Sequence, residues 1–554
     1  MLRKQIARII AAMVQVLPLS IGQTAFGQNQ GQNQFALTGV VSSTAEANRE
    51  GVVVSAKKPG SIMQVSVTTD ERGRYAFPAN RLDPGEYTLS IRAVGFDIAA
   101  PTKATVVSSK ASTADIKLQP TKDISRQLTG AEWTMSIPGT PDQKADLLNC
   151  YGCHTLERIM RSTHNSNDWT QVLTRMAGYG AVTHTYRPQR MLDVGRSGTP
   201  EQYRNLANYL TTINLSSTDR WAHDLKTLPR PKGRDTRAIV TEYDLGSLAI
   251  QPHDVVVDKE GIVWYTDFGQ SLIGRFDPKS LKLTEFPIKK FKDKAPEGTL
   301  SLRFDHLGKL WFDTMYQGAL ASMDTKTGEV TYYPLPPEFN DVRVQLNFTG
   351  LRYDVDGKIW TKSVGTQHVF RLDVATRTWE RFDPTSKLRG GGRAAIYEVI
   401  SDSKNNVWMA EFADGHLGKI DAKTLEVTWY QVPTARARAR RLDIDDKDRV
   451  LLTEYRGNKV ALFDPQTEKF TEYDMPPYTA PYRATWDRNG EIWATTMSTD
   501  RVVRYNPKTG EAMQYLMSGP TNMRSVFVDS STTPVSLWVG ANHEHKLVNV
   551  EPLD

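Results

Sequence analysis

The sequence predicts a multidomain, mainly-β chain of 554 residues: a β-sandwich, a small α-helical domain and a seven-bladed β-propeller. Three observations predict it. Short β-rich runs separated by turn residues fill positions 35–120. Helical periodicity replaces them around the two cysteines, Cys150 and Cys153. From residue 236 onward a tryptophan opens a short strand at intervals of 42 to 49 residues, a period that marks a propeller.

The N-terminus reads as an export signal over residues 1–27. Arg3, Lys4 and Arg8 form a basic start, and Ile9 to Ile21 is mostly apolar but short for a bilayer span. Ala25-Phe26-Gly27 places small residues before a cleavage point at Gln28. The expected location is the periplasm, with no membrane span after the signal is removed. Residues 28–34 (QNQGQNQ) form a polar linker.

The sandwich occupies residues 35–120. Runs such as Ala36–Val41, Met63–Thr69 and Tyr87–Ala93 alternate with Asp70-Glu71-Arg72-Gly73 and Asp83-Pro84-Gly85. The order T-x-D-x-x-G-x-Y-x-F (Thr68 to Phe77), P-G-x-Y-x-L (Pro84 to Leu89), then Gly95-Phe96, resembles the carboxypeptidase regulatory-like domain. That resemblance implies an accessory sandwich without catalytic residues.

Residues 121–230 form the helical domain. Trp169, Val172, Leu173 and Met176 lie near helical spacing, and Tyr203, Leu206, Leu210 and Ile213 share one face. Cys150-Tyr151-Gly152-Cys153-His154 reads C-x-x-C-H. Two thiols at this spacing reach the two vinyl groups of a haem, and the adjacent imidazole reaches its iron. Two cysteines exclude a disulfide framework and a cysteine-rich zinc site. The predicted cofactor is covalently bound haem c, held by Cys150 and Cys153 with His154 on the iron. The order helix, C-x-x-C-H, helix, helix resembles a class I cytochrome c domain, and Cys150 to Gly180 looks like the haem domains of periplasmic dehydrogenases. That resemblance puts Met176 in the sixth-ligand position of compact domains and Met191 in that of longer ones. His164 or His184 would give a bis-His iron. Met160 is too close to His154 to reach the other haem face.

The propeller spans residues 236–554. Its markers are Trp264, Trp311, Trp360, Trp408, Leu451, Trp493 and Trp538, each preceded by an apolar strand ending in Asp. Thr241-Glu242-Tyr243-Asp244 is an outer-strand motif ahead of the first repeat. It is predicted to complete the seventh blade, leaving no exposed edge. The mouth positions read from the repeat are His253, Leu300, Thr349, Tyr397, Arg440, Tyr482 and Arg524. Three positions after each marker stand Asp267, Thr314, Ser363, Glu411, Glu454, Thr496 and Ala541. This set predicts a hard-cation site through carboxylates, or an anionic or aromatic ligand through Arg and Tyr. The run Arg436, Arg438, Arg440, Arg441 reads as a strand end or an anion site. His543 and His545 form an H-x-H pair that can clamp a metal.

Pro252-His253-Asp254-Val255, Trp408-Met409-Ala410-Glu411, Leu452-Thr453-Glu454 and Leu272-Ile273-Gly274-Arg275 resemble the repeat units of virginiamycin B (streptogramin) lyases. That resemblance implies a Mg-dependent carbon–oxygen lyase with His253 as catalytic base and Glu411 or Glu454 as magnesium ligands. The chain departs from it: it has one Pro-His pair, and Gln251 stands where the family carries Glu.

A formal net charge of +6, from 69 basic and 63 acidic residues, is weak for this length and argues against nucleic-acid binding. No Gly-rich nucleotide fingerprint is present. The sequence therefore leads first to a periplasmic c-type haemoprotein with an electron-transfer or oxidoreductase role. Its propeller would bind a small-molecule substrate or a redox partner protein. The lyase, and a non-catalytic binding scaffold, are the two other readings.

Overall fold

The structure, a computed structural model, describes residues 34–44, 48–108, 110–191, 198–216, 221–388 and 395–554. The expected signal segment and nearly all of the polar linker lie outside these residues.

The ring is built by repetition. Six four-stranded antiparallel sheets follow in chain order, from Pro252–Pro287 (blade 1) to Pro481–Leu516 (blade 6). Blade 7 takes three strands from the C-terminus, Met523–Asp529, Ser536–Ala541 and Lys546–Pro552. Its fourth is the early strand Ala238–Asp244, paired from Ala238↔Pro552 to Asp244↔Lys546. The two ends of the propeller sequence are thus hydrogen-bonded to each other, as the repeat count requires.

The repeat has a local cause. In four blades the Asp ending the inner strand caps the turn that follows and also accepts the indole N–H of the marker tryptophan. Asp258 Oδ1 accepts from the backbone of Glu260 and Ile262, and Oδ2 accepts from Trp264 Nε1 at 2.8 Å. Asp305–Trp311, Asp402–Trp408 and Asp487–Trp493 repeat the bond. In blade 5, where Leu451 replaces Trp, Arg449 Nε takes the free oxygen of Asp445. Blade 3 departs: Asp354 sits in a single helical turn, and Trp360 donates to the Asn405 carbonyl of the next blade. A buried indole needs some acceptor, so the tryptophan finds one either way. Glycine in the third strand is also required sterically. A Cβ at Gly274 would lie 2.0 Å from the Tyr265 ring.

The sandwich is fused to the ring edge to edge. Its strand Met63–Thr68 pairs antiparallel with Ala238–Asp244, from Ile239↔Val67 to Tyr243↔Met63. Blade 7 therefore continues into one sheet of the sandwich, giving eight strands in a row, and the closing strand is interior on both sides. Sequence periodicity found the strands up to Val106. It missed Phe96–Ala100 and Ile116–Pro120, which complete the second sheet.

The helical domain contributes α1 (Gly130–Ser136), α2 (Pro141–Asp146), α3 (Glu157–Met160), α4 (Ser166–Met176) and α5 (Pro200–Ile213). Reciprocal capping boxes start four of them, at Thr129/Glu132, Thr140/Gln143, Asn165/Asp168 and Thr199/Gln202. These S/T/N-x-x-E/Q/D signatures were available in the sequence and mark α1, which apolar periodicity alone does not. A 3₁₀ stretch, Leu147–Gly152, carries the first cysteine. Among the described residues no helix is long and apolar enough to cross a membrane.

The helical domain lies across the propeller mouth. Trp133, Tyr151, Leu147 and Ile213 share one buried cluster with Tyr455, Tyr482 and Met497 of the ring. Hydrogen bonds fix the placement: Ala131 N to the Ser498 carbonyl (2.8 Å), Tyr455 Oη to the Leu148 carbonyl (3.2 Å) and Ala181 N to Tyr316 Oη (2.9 Å).

Candidate functional site at the junction of helices and ring

The C-x-x-C-H segment rests directly on blade 7. Arg524 Nη2 donates to the Gly152 carbonyl, Asn522 Nδ2 donates to the Tyr151 carbonyl, and Arg524 Nε donates to Asn522 Oδ1 at 3.0 Å. Cys150 and Cys153 are both unbridged and half-buried. Burial pushes the Cys150 thiol up to about 12 and raises Cys153 as well. A reactive redox dithiol needs the opposite shift, so these thiols do not fit thioredoxin-type exchange.

His154 Nδ1 engages the Thr155 carbonyl at 2.9 Å. That bond places the proton on Nδ1 and leaves Nε2 with a free lone pair, the tautomer an imidazole needs to ligate a metal. Burial holds the ring neutral by lowering its pKa. An open cleft of about 380 Å³ is lined by His154, His184 and His543, with Arg158, Arg161 and Tyr186 at its edge. Burial, then His545 and Arg524, depress His184 to about 4. His184 lies with its ring centroid 6.3 Å from that of His543 and 5.2 Å from that of His545. His543 Nε2 meets Asn522 Nδ2, and His545 Nδ1 meets the Ile250 carbonyl. The H-x-H pair therefore splits between two environments rather than clamping one ion.

The other expected iron ligands lie elsewhere. Met176 ends α4, half-buried, and is not among the described residues lining this cleft. Met191 packs with Val182, Phe268 and Tyr316 over blades 1 and 2. His164 is exposed, edge-on to Trp169, and Met160 is buried in the helical core.

Below the helices, the mouth positions His253, Tyr397, Arg440, Tyr482 and Arg524 converge as the repeat implied. His253 is fully buried with both ring nitrogens engaged: Nδ1 with Asp254 Oδ1 at 2.7 Å and Nε2 with Tyr482 Oη at 3.1 Å. Burial depresses its pKa to about 3, so the imidazole is neutral, with Nδ1–H donating to Asp254. Nε2 must then accept from Tyr482, whose oxygen accepts in turn from Tyr397 (3.2 Å), which accepts from Arg440 Nη2 (2.9 Å). A one-way chain of hydrogen bonds crosses the mouth from blade 5 to blade 1.

Residues one position further along are not among the mouth positions read from the repeat, although the Arg run includes Arg441. Asp254, Glu398, Arg441 and Arg483 also face the axis, because the ladders shift register at Pro252/Val255, Ile396/Glu398, Ala439/Leu442 and Pro481/Ala484. A bulge turns two consecutive side chains toward one side, which strict alternation forbids. The available signal was a charged residue inside an otherwise apolar inner strand. Glu398 Oε1 receives Arg441 Nη1 at 2.7 Å and Arg483 Nη1 at 3.0 Å. Against the upward push of burial, Arg483 and Arg441 hold its pKa below the usual range.

The carboxylates three positions after the markers do not converge. Glu411 accepts from the backbone of Ala395, Ala413, Asp414 and Gly415. Asp267 accepts from Gln251 N and Gly269 N. Each caps the turn at the end of its own second strand, where backbone N–H groups are otherwise unpaired. Glu454, at the same place in blade 5, has neither carboxylate oxygen hydrogen-bonded. Burial and the neighbouring Glu472 push it up to about 8. Among the described residues no three His, Cys, Asp or Glu side chains gather as a metal set.

The Arg run also divides. Arg436, exposed, pairs with Asp142 of α2 at 3.4 Å, while Arg440, half-buried, and Arg441, fully buried, face the mouth.

The carboxypeptidase regulatory-like domain family matches residues 36–119. No curated protein matches the chain. Similar solved structures include a streptogramin B lyase, 22% identical over 58% of this chain and 100% of that one, with a TM-score of 0.49. A virginiamycin B lyase from Staphylococcus aureus is 18% identical over 57% and 100%, with a TM-score of 0.48. The β-propeller domain of Swd1 from Myceliophteria thermophila is 10% identical over 56% and 99%, at 0.45.

Proposed function

We propose that this chain is an exported c-type haemoprotein that passes single electrons, its helical domain seated on a propeller that binds the substrate or redox partner. The observation that carries the reading is His154. Its Nδ1 is tied to the Thr155 carbonyl and its Nε2 is free beside the unbridged pair Cys150 and Cys153. Those three residues are the ones that would hold the haem. When bound, the group would supply a one-electron couple. The chain's own residues do the rest. Thr155 orients the imidazole, and Arg524 and Asn522 fix the Tyr151-Gly152 backbone between the two thiols. Burial keeps His154 unprotonated and able to ligate. His184 and His543 line the same cleft as His154 and are its further imidazoles.

The test is a pyridine haemochrome spectrum of the protein made in a strain with cytochrome c maturation machinery. One covalent haem per chain is expected, retained on a denaturing gel. Loss of the haem band in Cys150→Ala and Cys153→Ala supports the assignment. A colourless wild-type chain from that strain overturns it.

A further inference from the structure

We propose that the cleft between helices α1–α2 and blades 5 and 6 binds a small aromatic carboxylate. The inference rests on the walls of that cleft and not on haem.

The cleft has the size of a ligand site and is walled by rings. It measures about 610 Å³, and its walls include Tyr151, Tyr455, Tyr478, Pro141, Pro477 and Leu148. Small-molecule sites are of this size, mostly apolar and aromatic, with a few polar groups that orient the ligand. The polar atoms of the walls are largely spent on the protein itself. Tyr151 Oη donates to the Gly130 carbonyl at 2.7 Å and meets Thr134 Oγ1 at 2.8 Å. Tyr455 Oη donates to the Leu148 carbonyl, and Ser498 Oγ to the Tyr478 carbonyl at 2.8 Å. What these residues still offer a ligand is carbon surface, on which a flat ring packs well.

Second, one wall is held in a costly conformation. Tyr478 has a φ of +64°, in the left-handed region that bulky side chains rarely adopt, and it is 42% exposed. The loop that carries it is pinned from both sides. Asn458 Nδ2 donates to the Met475 and Pro476 carbonyls, and Asn458 Oδ1 accepts from Ala480 N. Strain of this kind persists only where the surroundings impose it, and it concentrates at ligand sites. A ring already fixed at the rim costs an incoming ligand little ordering.

Third, the walls carry two cations, Lys144 and Arg456, and no carboxylate. Arg456 is answered by Asp142, which also takes Arg436. Lys144 of α2 is half-buried and has no ion pair or hydrogen bond of its side chain among the described residues. Asp146, two residues on, is exposed and does not pair with it. Burial, and then Lys226, lower the Lys144 pKa. A carboxylate in the cleft supplies the counter-charge that this ammonium lacks.

Isothermal titration calorimetry of the full-length protein with sodium 2-naphthoate, neutral 2-naphthalenemethanol and sodium acetate, at constant ionic strength, tests this. Naphthoate is expected to bind at one site per chain, at least fivefold more tightly than either of the others. Tyr478→Gly should weaken naphthoate at least fivefold while melting no lower than wild type, because glycine takes that backbone conformation freely. Lys144→Met should remove the advantage of naphthoate over the alcohol and leave the affinity for the alcohol unchanged. The double variant Cys150→Ala/Cys153→Ala should bind naphthoate as wild type does. No naphthoate binding, binding that survives both single variants, or an alcohol that binds as well as the acid overturns the proposal. So does a lower Tm for Tyr478→Gly, which would make that ring a structural part of its loop. Binding confined to the cysteine double variant overturns it too, by assigning the cleft to the haem itself.

Discussion

Arg524 of blade 7 donates a hydrogen bond to the carbonyl of Gly152, one of the two residues between the cysteines of the C-x-x-C-H segment. Residues 372 positions apart are thereby joined at the centre of the molecule. The neighbouring Asn522 holds the Tyr151 carbonyl and His543 at once. The ring does more than carry the helical domain: it fixes the backbone on which the thiols and imidazole stand. Asn522→Ala should cost about 1–2 kcal/mol, the usual penalty for stranding buried polar partners. Amide exchange over residues 147–160 should accelerate, with the ring's inner strands unaffected. Unchanged exchange there would mean that the contact does not clamp the segment.

If the chain carries the proposed haem, His154→Ala should spare its attachment through Cys150 and Cys153 while removing the nitrogen donor that Thr155 orients. The visible spectrum would then differ from wild type while the haem stain on a denaturing gel persists; an unchanged spectrum would show that His154 is not the ligand. His184→Ala and His543→Ala, compared by the same spectrum, would show whether either imidazole of the cleft contributes to holding the proposed group.

Glu398→Gln should destabilise the protein by about 3–5 kcal/mol in urea unfolding, because two buried guanidiniums lose their shared counter-charge. Adding Arg441→Met should recover part of the loss. Additive losses in the double variant would show that the two residues are not energetically paired.

Glu454 gives a pH signature. Burial, and then Glu472, raise its folded value from 4.5 to about 8. The folded chain therefore holds this proton more tightly than the unfolded one. Its contribution is full below about 4.5 and is lost as pH rises through about 8. The Tm of wild type relative to Glu454→Gln should fall between pH 5 and 8.5. A difference independent of pH would show that Glu454 is ionised throughout.

A chain beginning at residue 121 would lose Met63–Thr68 from the flank of Ala238–Asp244. That closing strand is buried along most of its length. Exposing its unpaired backbone and apolar face should cause self-association, read by light scattering. A monodisperse monomer would show that the sandwich does not protect this edge.

Much of the fold was legible because its cause is local and repeated. An Asp that caps a turn and holds an indole six residues later writes the same spacing into most blades. The capping boxes likewise mark the starts of four helices within four residues. The match of residues 36–119 to the carboxypeptidase regulatory-like family agrees with the turn pattern read there.

The candidate site was legible only in part. His253, Tyr397, Arg440, Tyr482 and Arg524 followed from the repeat, since equivalent positions in a ring face one axis. Asp254, Glu398, Arg441 and Arg483 did not, because register shifts in the inner strands break the alternation that a sequence pattern assumes. Glu411 and Asp267 were read as facing the mouth because the end of a blade's second strand reaches the same face as the start of its first, yet unpaired turn amides claimed them first.

The sequence by itself determined the chemistry-bearing spacing Cys150-x-x-Cys153-His154, the period of the ring and the strand that closes it. Those are properties of neighbours along the chain or of a motif repeated many times. The tertiary structure decided that the helical domain caps the mouth, that the sandwich extends blade 7, and that Glu398 of blade 4 is shared by Arg441 of blade 5 and Arg483 of blade 6. Such facts depend on which surfaces meet, and an ion pair between blades joins residues that lie far apart along the chain.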